Sequence, residues 1–222
     1  MSGRPVRRRT TRFRWSAAAA FAVLALAATA CGGEAATAPT PDSTYGGAVA
    51  AAEAPAPKGY RPAEIQGVKI NVPDDWEAEE KDGRLCMRPP GEKGCGFGSV
   101  EVRPHAAKND PAKWPRKGKA HEDKDGWAAA PDTCRSPGTM EKGDVGVAKA
   151  KLDTGGFTTH ADGLKSHHAA WTVTCENDDV FEVRLWYLPQ SDVAVYVQSV
   201  DSRFTKVYDA IAKSMDITAY KK

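Results

Sequence analysis

The stretch that most constrains this chain spans residues 175–200. Apolar and polar residues alternate over Val180–Leu188 and again over 193–200, and the segment 189–192 between them contains Pro and small polar residues. Side chains of a strand alternate between its two faces, and such short polar segments favour turns. The pattern therefore predicts a β-hairpin. The buried face of its first strand should carry Phe181, Val183, Leu185 and Tyr187.

The first thirty residues have the composition of an export signal. They contain six arginines, no lysine and no acidic residue, and the arginines precede an apolar, alanine-rich run over 15–30. A cationic segment followed by roughly 7 to 15 apolar residues is typical of a secretory signal peptide. A membrane-spanning helix needs roughly 20 apolar residues, so we interpret 1–30 as a signal peptide and not as a permanent span.

Residues 26–33, which read LAATACGG, resemble the lipobox of bacterial lipoproteins. The resemblance implies that Cys31 is diacylated and becomes the mature amino terminus. Two acyl chains hold a protein stably on a bilayer. Ala28 stands where that motif usually has Leu, and the alternative is an ordinary secretory signal with an incidental cysteine. The favoured localisation is the extracytoplasmic face of the cell membrane, with the membrane contacted through this lipid.

Removing the signal changes the charge balance. The whole chain has 31 basic and 29 acidic residues, and taking away the six signal arginines leaves 25 basic residues against the same 29 acidic ones. A nucleic-acid-binding protein needs a clustered basic face, so the mature composition disfavours a nucleic-acid partner.

The cysteine count fits an oxidising compartment. If Cys31 carries lipid, four of the five cysteines remain: Cys86, Cys95, Cys134 and Cys175. Four cysteines allow three pairings. We favour Cys86 with Cys95, because the short Pro- and Gly-containing segment between them should turn back, and Cys134 with Cys175. A zinc site is the rival interpretation, but no Cys-x-x-Cys occurs and exported thiols oxidise.

Three regions follow from these observations: the signal peptide 1–30, a tether 31–60 and one folded domain 61–222. The tether is rich in Ala, Pro and Gly and has few large apolar residues, so it cannot bury a core. Within the domain, Ile65 to Val72 predicts a first strand, and 84–87 with 97–102 predicts a hairpin. Apolar residues at helical spacing over 204–215 predict a carboxy-terminal helix packed on the core face of the sheet, and 109–117 predicts a short helix.

Two histidines provide the one candidate metal or proton-transfer site. Asp162-Gly163 suits a two-residue type I′ turn, which would set His160 opposite Lys165 and Thr158 opposite His167. His160 and His167 would then be diagonal neighbours on one face, roughly 7 to 8 Å apart. No third ligand lies nearby in the sequence, so these two residues are weak metal candidates, and histidines at a solvated sheet end are the favoured interpretation. We predict neither a metal nor a cofactor.

The order of elements resembles that of LpqN-type actinobacterial lipoproteins. The matching segments are residues 70–76 (INVPDDW), 186–189 (WYLP) and 214–217 (SMDI). The resemblance implies an α+β domain with the PsbP-like fold, in which an antiparallel β-sheet is flanked by a carboxy-terminal amphipathic helix and a short helix. It also implies a non-catalytic module of the cell envelope that binds other proteins. No matching position is a chemical site, so the resemblance assigns no functional residue.

Three functions remain open at this point. An envelope protein-binding or adaptor module needs only an anchor, a tether and a compact domain. A carrier of a lipid or other small apolar ligand would use some of the five tryptophans of the mature chain to line a pocket. A hydrolase is the least favoured, because no Gly-x-Ser-x-Gly elbow or metal triad occurs and Ser99 and Ser136 both suit turns. The chain is therefore expected not to be an enzyme.

Overall fold

The computed structural model of the protein describes residues 56–109 and 133–221. They form nine strands, two α-helices and one 3₁₀ turn. The strands are β1 (Tyr60–Ile65), β2 (Val68–Pro73), β3 (Glu77–Lys81), β4 (Arg84–Arg88), β5 (Val100–Pro104), β6 (Val147–Thr159), β7 (Lys165–Cys175), β8 (Val180–Leu188) and β9 (Val193–Val197). The helices are α1 (Ala106–Asn109) and α2 (Thr205–Lys213), and the 3₁₀ turn is Ser202–Phe204.

Seven strands form one antiparallel sheet in the order β3-β4-β5-β9-β8-β7-β6, and β1 and β2 form a separate two-stranded sheet. The predicted α+β class with a mostly antiparallel sheet is thus confirmed. The β8–β9 hairpin lies where the alternation placed it, although β9 ends at Val197, three residues before the predicted end. The predicted pairing of the strand near 84–87 with the one near 97–102 is present as β4 and β5.

The predicted first strand is wrong, because the segment forms a hairpin. β1 and β2 pair with Ile65 opposite Val68, so Gln66 and Gly67 make a two-residue turn. Both residues have positive φ, 51° and 85°, as a type I′ turn requires. Asp82 and Gly83 connect β3 to β4 in the same way. Alternation alone did not reveal either turn, since apolar residues flank the first one on both sides.

Both faces of the large sheet are buried, which corrects the prediction of a single core face. One cluster lies between the sheet, the β1–β2 hairpin and α2. It contains Val100, Trp186, Leu188, Val195 and Ile211, among others. The other cluster lies on the opposite face and contains Trp171, Val183, Leu185, Tyr187 and Tyr196, among others. Helix α2 therefore packs on the face that carries Trp186, and not on the face of Phe181, Val183, Leu185 and Tyr187 where the sequence placed it.

Helix α2 is held in place at both ends. At its start, the side chain of Asp201 accepts a hydrogen bond from the backbone N–H of Arg203 and caps the 3₁₀ turn. In the middle, Tyr208 is fully buried and its hydroxyl donates to the carbonyl oxygen of Gly98 over 3.1 Å. At its end, the Ser214 hydroxyl accepts from the N–H of Asn71, which ties the helix to β2. These contacts tie the helix to β2 and to the loop before β5.

The far edge of the sheet is the 13-residue strand β6. Among the described strands it pairs only with β7, and directly before it Gly146 forms an isolated antiparallel bridge with Thr133. In the described part of the chain, β6 is therefore an end strand of the sheet. The pairing register shifts between Val147 and Lys149 and again between Leu152 and Thr154. From Thr154 to Thr159 the pairing is regular and the strand carries no charge. This uncharged half of β6 carries the exposed side chain of Phe157.

Candidate functional site

The four cysteines beyond residue 31 form two disulfides. Cys86 is bonded to Cys95, with Cα atoms 5.9 Å apart, and Cys134 is bonded to Cys175, with Cα atoms 5.4 Å apart. These are the two pairs favoured from the sequence. Since all four thiols are used, they offer no nucleophile or metal ligand. Cys31, the fifth cysteine, lies outside the described residues.

The predicted strand register that placed His160 beside His167 is wrong. The structure pairs Thr159 with Lys165 and Phe157 with His167, one residue away from the prediction. The reason is the loop, which has three residues: the N–H of His160 donates to the carbonyl oxygen of Leu164, and only Gly163 has a positive φ. This geometry corresponds to a type I turn followed by a left-handed glycine, the three-residue alternative to a type I′ turn.

The register shift separates the two imidazoles. His160 lies against α2, where its Nδ1–H donates to the carbonyl oxygen of Ala212 over 2.7 Å. His167 is on the same strand face as Ala169 and Trp171, which belong to the cluster opposite α2. The two residues thus lie on opposite sides of the sheet, and they cannot bind one metal ion together.

His160 behaves as a buried, neutral residue. Only 3 % of it is exposed, and burial lowers the pKa of its imidazole, although the hydrogen bond to Ala212 partly opposes that shift. Its Nε2 has no hydrogen-bond partner among the described residues. The adjacent Asp162 carboxylate accepts from the N–H of Ile217 over 2.9 Å. This loop therefore secures the chain after α2, which is a structural role.

Among the described histidines, His168 has the most strongly shifted imidazole pKa, and no sequence pattern pointed to it. Its ring stacks on Trp186, with ring centroids 4.6 Å apart and planes 20° from parallel. The Nδ1–H donates to the carbonyl oxygen of Leu185 over 3.1 Å. Burial lowers the pKa of His168 to about 4, and the positive charges of Arg184 and Lys213 contribute to the shift. The ring is therefore neutral at physiological pH.

A buried carboxylate occupies the sheet face opposite α2. Glu101 is 2 % exposed and is ion-paired with Arg103, and a guanidinium nitrogen of Arg84 lies 3.6 Å from the same carboxylate. Arg103 and Arg135 both lie over the ring of Tyr196, 5.2 and 5.9 Å from its centroid. A buried charge with such partners is stabilised by them. The cluster has the features of a structural ion pair.

The two serines considered for hydrolysis both have turn roles. The Ser99 hydroxyl donates to the carbonyl oxygen of Gly94 and accepts from the N–H of Gly96, within the loop that follows β4. The Ser136 hydroxyl donates to the carboxylate of Asp179 over 2.8 Å and contacts Thr139. No histidine is bonded to either serine in residues 56–109 and 133–221.

The described tryptophans are core residues. Trp76, Trp171 and Trp186 are between 0 and 3 % exposed and belong to the two packed clusters. Trp114 and Trp127, and the predicted helix beyond Asn109, lie outside the described residues. The tryptophans that the structure describes thus stabilise the fold by packing on both sides of the sheet.

Exposed apolar side chains concentrate on the β6–β7 hairpin. Three large hydrophobic residues are exposed in the described chain, and two of them, Phe157 and Leu164, belong to this hairpin. Phe157 is 69 % exposed and contacts His167, with ring centroids 4.8 Å apart. Gly155 lies two residues before Phe157 on the same strand face. A Cβ atom at Gly155 would meet only Leu152, at 3.7 Å, so a small apolar notch separates Leu152 from Phe157.

The other face of β6 is charged. Lys149 and Lys151 pair with Thr174 and Thr172 of β7, which puts both lysines on the α2 side of the sheet. The Lys151 side chain is 80 % exposed, and its Nζ atom lies 3.5 Å from a carboxylate oxygen of Asp153. Lys149 is exposed, and none of the described carboxylates pairs with it. We refer to residues 149–159 of β6 as the β6 edge.

The described residues contain no group of three or more His, Cys, Asp and Glu side chains that could hold a metal ion. None of the described helices is long and apolar enough to cross a membrane. The chain matched no protein-family model and no curated protein. The exposure of Phe157 on an end strand of the described sheet makes the β6 edge the candidate functional site. The sequence contains one signal for it, the uncharged run TGGFTT with an aromatic residue among small ones.

Proposed function

We propose that the protein is a lipid-anchored, extracytoplasmic module of the cell envelope that works by binding another protein. The exposure of Phe157 on the outer edge of a sheet carries this proposal. Burying a phenylalanine side chain contributes roughly 1.5 to 3 kcal/mol, and a strand at the edge of a sheet has backbone N–H and C=O groups that can pair with another chain. A second apolar residue of the same hairpin, Leu164, is 45 % exposed.

The anchoring part of the proposal is supported by the cysteines. Five cysteines occur in the chain, and four of them are joined in two disulfides, which suits an oxidising compartment. The remaining one, Cys31, directly follows the apolar segment of the export signal. A lipid on Cys31 and the predicted tether before β1 would let the domain reach partners at some distance from the membrane, roughly 30 Å on average. The PsbP-like fold and kinship with LpqN-type lipoproteins remain part of this proposal.

Site-specific crosslinking in intact cells tests the binding function. A photo-crosslinking amino acid is placed at position 157 of the full-length protein, and the same amino acid at Val180 is the matched control, since Val180 is 55 % exposed but lies on β8. We expect one defined protein adduct from position 157 and none from position 180. If neither position gives an adduct above background, the proposed binding function is contradicted.

A further inference from the structure

The backbone and side chains of the β6 edge indicate the kind of segment that can bind there. We propose that the β6 edge binds an extended protein segment as an additional strand, and that this segment alternates acidic with apolar residues. The inference rests on the proposed binding function and names the class of partner. A free strand edge offers a row of backbone N–H and C=O groups, and added strands obtain their specificity from alternate side chains.

The backbone of β6 suits strand addition in one half only. Between Val147 and Thr154 the strand contains two register shifts and three charged residues, Lys149, Lys151 and Asp153, and these features discourage pairing with an arbitrary strand. Between Thr154 and Thr159 it has regular pairing, no charge and no proline. An added strand would therefore form its ladder hydrogen bonds along Thr154–Thr159. It would continue past Lys149 and Lys151 only if it carried negative charges opposite them.

The side chains on the two faces of β6 select different partner residues. On the face opposite α2, the notch at Gly155 between Leu152 and Phe157 can accept an apolar side chain of the added strand. On the α2 face, Lys149 and Lys151 would contact the alternate side chains of the same strand. Lys151 already lies 3.5 Å from the Asp153 carboxylate, so the positive charge offered to an added strand comes mainly from Lys149. Directly opposed like charges destabilise a strand pair and opposite charges stabilise it. The segment that fits both faces therefore carries carboxylates on one side and apolar groups on the other.

A defined peptide tests this inference on the folded protein with its disulfides intact. The probe is acetyl-(Val-Glu)₅-amide, and acetyl-(Val-Lys)₅-amide is its charge-reversed counterpart. We expect the acidic peptide to bind and to protect the edge-facing amide protons of Gly155, Phe157 and Thr159 from hydrogen exchange, since the amides between them already face β7. The double variant Lys149→Glu/Lys151→Glu should weaken binding of the acidic peptide about tenfold and should strengthen binding of the basic one.

The control is Lys58→Glu/Lys206→Glu, which makes the same change of net charge at two exposed lysines on other elements. It should bind both peptides as the unmodified protein does. Equal binding of the acidic peptide to both double variants would overturn the inference, as would protection of amides other than those of β6. Self-association through β6, seen as a dimer by analytical ultracentrifugation and abolished by Phe157→Lys, would also overturn it, because the occupant would then be a second copy.

The two proposals can fail separately. If the crosslink from position 157 forms but the acidic peptide does not bind, the protein binds a partner whose chemistry differs from the one inferred. If the acidic peptide binds at β6 but no crosslink forms in cells, the strand-addition chemistry is correct and the envelope function is wrong. Equal melting temperatures of the unmodified protein and its variants show that any loss of binding arises at the edge and not from unfolding.

Discussion

Acidification should destabilise the folded domain through His168. This imidazole is stacked on Trp186 and partly buried, and its pKa is lowered to about 4. In the unfolded chain a histidine has its ordinary pKa of about 6.5. Between these two values the unfolded state binds a proton that the folded state excludes. Stability is therefore complete above about pH 6.5 and is lost as the pH falls towards 4.

The size of the effect follows from the two pKa values. Because the pKa of His168 is about 2.5 lower in the folded state than in the unfolded state, the free energy of unfolding falls by roughly 3 kcal/mol once the pH is below both values. Between about pH 7 and about pH 5, linkage gives a loss of about 2 kcal/mol from His168 alone. His160 adds to the loss in the same direction, because burial also lowers its pKa.

Urea unfolding of the disulfide-bonded protein at these two pH values measures the loss. In His168→Phe the ring still stacks on Trp186 but binds no proton, so the difference between the two pH values should shrink by about 2 kcal/mol. His167→Phe is the matched control, because it removes the neighbouring imidazole and leaves the His168–Trp186 stack intact; it should keep the loss. If His168→Phe and the unmodified protein lose equal stability, the reasoning about His168 is refuted.

Two further predictions concern the packing and the disulfides. Ile211→Ala should lower the free energy of unfolding by about 2 to 5 kcal/mol, because Ile211 is fully buried between α2 and the sheet; a loss below about 1 kcal/mol in urea unfolding would contradict that placement. Replacing both Cys134 and Cys175 by Ser should lower the free energy of unfolding by about 4 kcal/mol on the loop-entropy model, because that disulfide spans 41 residues. Replacing both Cys86 and Cys95 by Ser should lower it by about 3 kcal/mol, because that disulfide spans only 9 residues. The reverse order in thermal unfolding would contradict the model.

Local patterns were sufficient to predict strands that have a clear turn between them. The hairpin of β8 and β9 and the two disulfide pairs were visible in the sequence. Each depends on residues close together in the chain or on a count of cysteines. The turn at Gln66-Gly67 was missed because apolar residues continue on both sides of it, so one long strand seemed sufficient.

Features that depend on how distant elements pack together could not be predicted from local sequence patterns. In β8 both faces are buried, and alternation marks which residues share a face but not which face a helix covers. The loop between β6 and β7 is one residue longer than predicted, so His160 lies on the α2 side of the sheet and not beside His167. The exposure of Phe157 depends on β6 being the last strand of the sheet, and strand order is not contained in local spacing.

We propose that this disulfide-bonded domain is held outside the cell by a lipid on Cys31 and presents its β6 edge to other proteins. Mass spectrometry of the amino-terminal peptide, from protein extracted from the membranes of its host, tests the anchor directly. We expect a mature chain that begins at Cys31 and carries a diacylglyceryl group on the sulfur of that residue. An amino-terminal peptide with an unmodified Cys31, or one in which Cys31 lies inside a longer mature chain, would contradict it.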